Sequence, residues 1–186
     1  MRYLTRVEES CLNVHGTSWL PPHVPGLIKH LVLDVPAPPE STSDISRLIG
    51  PGRRYQPRRP AAVDRLPVLD RAPLIRAGIS MGPVSVEVRE YEAEPRREPS
   101  GWEDVAEFSV LVRDKPAYIG GFNQDFRTTP NIGTAGPGWY RLRVHARGRA
   151  TAPDLVVTEP TEDYLVQVWR ADHAEPLALT ESVTQL

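Results

Sequence analysis

The sequence predicts a mainly β protein, an antiparallel β-sandwich or partly closed barrel with little helix and a proline-rich N-terminal arm. Three observations predict it. The run Trp139-Tyr140-Arg141-Leu142-Arg143-Val144-His145-Ala146-Arg147 alternates with period two, placing Tyr140, Leu142, Val144 and Ala146 on one face and Arg141, Arg143, His145 and Arg147 on the other. Further alternating runs lie on either side of it, with turn signals between them. The chain also holds 20 prolines, and proline removes a backbone donor and clashes inside a helix.

Composition divides the chain near residue 80, into an arm or extension over 1–80 and a β domain over 81–186. Eleven prolines fall between residues 21 and 73. Between them, Leu27-Ile28-Lys29-His30-Leu31-Val32-Leu33-Asp34-Val35 suits a strand or a short helix, its length leaving both open. Residues 43–49 suit a helical turn or two capped by Ser43 and closed by Gly50-Pro51. Residues 50–73 read as irregular or extended. In the second part, Val84, Val86 and Val88 mark one strand, and Ala106, Phe108, Val110 and Val112 mark another. Residues 155–157 suit a short edge strand. Tyr164, Val166 and Val168 alternate with Leu165, Gln167 and Trp169. That last strand is apolar on both faces, which predicts a central position or a second surface covered by the arm.

The totals narrow the function. Hydrophobic content is 40%, charged content 25% and net charge −2, so no global field draws the chain to nucleic acid or anionic lipid. Only Lys29 and Lys115 are lysines, and a G- and C-rich genome explains that bias more simply than a function specific to arginine. Cys11 alone excludes an intrachain disulfide and a cysteine-based zinc site. No apolar leader or membrane-length apolar run is present in the sequence, and the expected localisation is cytoplasmic. No cofactor is expected.

The basic stripe supplies the candidate site. Alternate side chains on a strand stand ~6.8 Å apart, and like charges at that distance repel by ~0.6 kcal/mol in water. Three arginines therefore cost roughly 1–2 kcal/mol unless carboxylates lie nearby. Glu90, Glu92, Glu94, Glu159, Glu162 and Asp163 are the candidates. Three readings follow, in this order: internal pairing, a surface for an acidic protein partner, and phosphate binding.

Other motifs fit less well. Arg53-Arg54-Tyr55-Gln56-Pro57-Arg58-Arg59 suits a solvated loop better than a nucleic-acid grip. Gly78-Ile79-Ser80-Met81-Gly82 matches the nucleophile-elbow pattern, but a strand rather than a helix is expected after it. His15, His23, His30 and Asp34 have no compact metal-ligand spacing. No catalytic or metal-binding residue is expected.

The runs Gly101-Trp102-Glu103-Asp104-Val105-Ala106-Glu107-Phe108, Ala135 through Arg149, and Glu162-Asp163-Tyr164-Leu165-Val166-Gln167-Val168-Trp169 carry a resemblance over residues 84–170. Together they resemble a group of small actinobacterial β-rich proteins that is distantly similar to competence protein J, an inhibitor of a competence nuclease. The resemblance implies a β-rich protein-binding module of the inhibitor or immunity type, and the basic stripe adds the expectation of another protein as partner, through an acidic surface of a nuclease or other toxin. It supplies no catalytic residue. The expected contact surface is the strand face of Arg141, Arg143, His145 and Arg147, with Trp139 or Trp169 as aromatic anchor. A nucleic-acid accessory protein, a structural component of an assembly and a serine hydrolase built on Ser80 are the rivals.

Overall fold

The computed structural model describes residues 1–8, 10–18, 73–98, 100–113, 116–121, 123–125 and 127–180. The expectations for 27–35 and 43–49, for the packing of the arm, and for His23, His30, Asp34 and Arg53 to Arg59 lie outside the described residues. Among the described residues there is no helix, and the chain is built of eleven strands in two sheets.

The larger sheet takes β1 (Arg2–Val7), β5 (Gly82–Tyr91), β10 (Asp163–Arg170), β9 (Gly138–Arg147), β6 (Asp104–Val112) and β11 (Leu177–Thr180), in that spatial order. The short β3 (Thr17–Ser18) also pairs with β6. The smaller sheet orders β4 (Leu74–Arg76), β2 (Cys11–His15), β7 (Ala117–Gly120) and β8 (Asn131–Ile132). Neither sheet closes into a barrel. The expected antiparallel arrangement needs one correction. β10 pairs with β5 in parallel, because the chain crosses β6 and β9 before returning. The larger sheet is therefore mixed.

Each long strand owes its place to its alternation. Val84 and Val86 of β5, Phe108 and Val110 of β6, Leu142 and Val144 of β9, and Val166 and Val168 of β10 are fully buried. They form one hydrophobic cluster with Leu12, Val14, Ile75, Ile119 and Ile132 of the smaller sheet. β-Branched and aromatic side chains favour this half-buried pleated surface. β10 lies between β5 and β9, the central position that is one of the two alternatives its apolar faces predict. Residues 155–157 contribute only a single bridge, Val156 to Met81.

Strand pairing runs across residue 80. β1 pairs with β5 over six residues, and β2 pairs with β4 and β7. The chain passes from the larger sheet to the smaller between Glu8 and Cys11, where Ser10 has φ 57°. It returns at Gly16, whose φ of 72° suits glycine. A Cβ there would lie 2.2 Å from the Pro116 carbonyl oxygen. No helix among the described residues is long and apolar enough to cross a membrane.

Candidate binding surface

The face of the larger sheet turned away from the core carries the predicted stripe. Strand register lines up its rows. Arg143 stands opposite Gln167 on one side and Glu107 on the other, Arg141 opposite Trp169 and Ser109, and His145 opposite Leu165 and Val105. This face is not open along its length. Residues 92–98 and 100–103 cross it, and the carbonyls of Ala174 and Glu175 cover its far side.

The stripe is consequently buried, which corrects the expectation of a solvent-facing basic surface. Arg141 is 4% exposed, Arg143 1% and His145 2%. Glu107 binds both guanidinium groups, through Oε2 to Arg141 Nε at 3.2 Å and through Oε1 to Arg143 Nε at 2.5 Å. Arg141 also donates to the carbonyls of Ala174 and Glu175 at 2.8 and 2.9 Å. Arg143 donates to the Pro95 carbonyl at 3.0 Å and to Glu94 at 2.8 Å. Its guanidinium carbon lies 5.1 Å from the Trp169 ring. Trp169 is itself 4% exposed, so it supports Arg143 from within and is not open to a partner while residues 92–98 cover the face. A buried guanidinium needs a carboxylate and further acceptors to offset its lost hydration, and this network supplies them.

Internal pairing thus accounts for Arg141 and Arg143, largely through Glu107. Among the acids noted in the sequence, Glu94 and Asp163 take part in ion pairs. Glu90 instead accepts from the Thr134 backbone and hydroxyl. Glu162 turns inward to accept from the backbone N–H groups of Gly78 and Ile79, at 3.2 and 2.7 Å, and from the Tyr164 hydroxyl. Burial pushes the Glu162 carboxyl above its ordinary range, against the lowering effect of those donors.

Arg147 differs from the rest of the stripe, with its side chain 49% exposed. Its Nε and Nη2 donate to Asp163 Oδ2 at 3.0 and 2.8 Å. Arg2 reaches the other oxygen of the same carboxylate. Burial raises the Asp163 pKa, but the hydrogen bond and charge of Arg147, with the charge of Arg2, outweigh it and hold the group below its ordinary value. The Arg147 guanidinium carbon lies 5.0 Å from the ring of the half-buried Trp102. On β1, Arg2, Leu4 and Arg6 share one parity, and register sets Leu4 opposite Ser85. Ser85 faces Asp163, which faces Arg147. Leu4 is 62% exposed and Arg6 is exposed. This open end therefore combines the guanidinium groups of Arg2, Arg6 and Arg147, the Asp163 carboxylate, an exposed leucine and an indole, with Glu87 opposite Arg2 and Glu103 on the Gly148 N–H at its borders.

Two concavities adjoin this face. One of about 110 Å³ is lined by Trp102, His145, Val105, Arg97 and Thr180, among others. The Leu165 carbonyl lies 3.3 Å from His145 Nδ1. A carbonyl only accepts, so Nδ1 carries the proton of the neutral ring and Nε2 keeps a lone pair. Burial lowers the His145 pKa; the Leu165 carbonyl opposes this and the Arg143 charge adds to it. The other concavity is an open groove of about 500 Å³ lined by Trp139, Gly138, Arg170, Ala171 and Asp172. Trp139 is half-buried there and meets His173 edge-on at 4.9 Å.

The remaining motifs are placed as follows. Ser80 lies two residues before β5, with no helix after it, and its backbone N–H donates to the Leu155 carbonyl, so the strand–turn–helix context of a nucleophile elbow is lacking. His15 stacks on Tyr118 at 4.5 Å, with Nε2 3.1 Å from the Gly121 carbonyl oxygen. Among the described residues no group of three or more potential metal ligands is present. Sequence reasoning passed over Glu107, Trp102 and the β1 triplet Arg2, Leu4 and Arg6. The signal for the triplet was the alternation of residues 2–7, and for Glu107 its parity opposite Phe108. No family model, curated protein or solved structure matches this chain.

Proposed function

We propose that the protein is a non-enzymatic binding module of the inhibitor or immunity type, its two sheets facing each other as a sandwich, and that it grips an acidic surface of another protein. One observation carries this reading. At the open end of the sheet face, Arg2 and Arg147 share a single carboxylate beside the unshielded Arg6, the exposed Leu4 and the indole of Trp102. Arginine and tryptophan dominate measured interface energies. An acidic patch on a nuclease or other toxin has the complementary chemistry. The sequence expectation is kept for Arg147 and moved from its buried neighbours to β1 and Trp102. Trp139 lines a separate groove and is not needed for this contact.

The test is charge reversal. Arg6→Glu with Arg147→Glu should leave the melting temperature within a few degrees of wild type. It should also abolish recovery of the native partner in a pull-down from the host, and weaken binding of the purified partner by tenfold or more. Undiminished partner binding by this double variant would overturn the proposed surface.

A further inference from the structure

The segment crossing the sheet face is attached in an unusual way. Residues 92–98 (Glu-Ala-Glu-Pro-Arg-Arg-Glu) hold the face through Glu94 to Arg143, the Pro95 carbonyl to Arg143, and Glu98 to Arg89 and Gln167. All of these contacts are polar. No residue from 92 to 98 belongs to the hydrophobic cluster. Where Arg97 and Glu98 meet Trp102 and His145, the cavity of about 110 Å³ leaves the segment short of close packing. Few buried apolar contacts is the signature of a segment that opens locally, ahead of global unfolding.

The floor beneath has a definite chemistry. Arg89 and Arg143 lie under residues 92–98; Glu87 pairs with Arg89, and Arg143 shares Glu107 with Arg141, which the carbonyls of Ala174 and Glu175 cover, so the three guanidinium groups have two carboxylates from the sheet itself. With the segment lifted, the floor keeps one guanidinium in excess, beside the Gln167 amide and the Trp169 ring. Glu94 and Glu98, four residues apart with a carbonyl between them, answer that excess from above.

We propose that residues 92–98 are a displaceable strap, and that the floor it covers is the docking groove for an extended acidic segment of the partner protein. This rests on the binding-module reading and extends its surface from the open end under the strap. The strap occupies the groove as a mimic of the partner, with a carboxylate at each end and a backbone carbonyl between. Binding replaces intramolecular carboxylates by intermolecular ones on the same guanidinium groups.

Native-state amide hydrogen exchange on the full chain tests this, with the synthetic peptide Glu-Ala-Glu-Pro-Arg-Arg-Glu as probe. Strap amides should exchange at least tenfold faster than those of β9 and β10. Saturating peptide should speed them at least tenfold further, because the strap is held out of its groove. The same peptide with glutamine at both positions matching Glu94 and Glu98 should have no effect. The Glu94→Gln, Glu98→Gln protein should bind the unmodified peptide about tenfold more tightly than wild type does. Strap amides as slow as those of β9 would overturn the proposal, as would a peptide that fails to bind or binds without deprotecting the strap. The exchange measurement on the wild-type chain requires no substitution. Arg6→Glu with Arg147→Glu leaves the floor intact, so failure at the open end and failure of the strap are read separately.

Discussion

Glu107→Ala removes the one buried carboxylate that serves two buried guanidinium groups. The side chains of Arg141, Arg143 and Glu107 are 5%, 1% and 8% exposed. Glu94 cannot take over, because its side chain is 67% exposed and its pairing is screened by water. Two guanidinium groups at neighbouring same-face positions, ~6.8 Å apart, repel by roughly 2 kcal/mol at an effective dielectric constant of 20. Breaking a buried pair by removing one partner typically costs ~3–5 kcal/mol. The expected loss is therefore ~3–5 kcal/mol, or a fall of roughly 2 M in the urea midpoint for a slope of about 2 kcal/mol/M. Urea titration followed by tryptophan fluorescence measures it, since Trp169 lies against Arg143. Replacing all three residues, Glu107→Leu, Arg141→Leu and Arg143→Met, should recover most of the loss, because exchanging a buried ion cluster for apolar groups of similar volume is often neutral or better. A loss below about 1 kcal/mol for Glu107→Ala would refute the reasoning, since it would mean that water already reaches the guanidinium groups in the folded protein.

Two further outcomes are expected, beside the charge reversal and exchange experiments above. Burial holds the His145 pKa below 6.5, with Arg143, Glu98 and Glu107 as the charges acting on it. A depressed folded-state pKa means that the neutral ring is favoured by folding, so this contribution is present above pH 6.5 and is lost as pH falls through the folded value. Between pH 7.5 and 5 the melting temperature of wild type should fall more steeply than that of His145→Gln, and parallel curves would contradict this. Gly16→Ala places a left-handed residue and a Cβ 2.2 Å from a backbone oxygen, so it should cost about 3 kcal/mol or more. Gly136→Ala, at φ 100° with nothing within 4 Å, should cost only ~1 kcal/mol of backbone strain. Equal losses in denaturant titration would show that the close approach at the sheet corner is not real.

Where strands were long, the alternation was legible. The apolar faces of β5, β6, β9 and β10 follow from period two alone, while the two apolar faces of β10 left open a central place or a cover by the arm, and the sheet order placed it centrally. The short strands β2, β3, β4, β7 and β8 span two to five residues, too few for a period to stand out from chance. The parallel pairing of β5 and β10 depends on the route of the chain between them, and local sequence carries no trace of that route.

The stripe on β9 shows the same division at the candidate site. Period two fixes which side chains share a face, since successive Cβ atoms in a strand must point oppositely. It does not fix what lies over that face. Arg141 and Arg143 were assigned to the correct side of the strand, yet whether they met water depended on residues 92–98 closing over Arg143, on residues 174–175 closing over Arg141 and on Glu107 arriving opposite by register. Arg147, four residues beyond Arg143, stayed half-exposed because residues 92–98 do not reach it and only the Trp102 ring lies against it. The sequence by itself determined the pleated strands and the parity of every residue on them, because both are local properties of an extended chain. Tertiary structure alone decided burial, pairing and the position of the open surface, because each depends on segments brought together from distant parts of the chain.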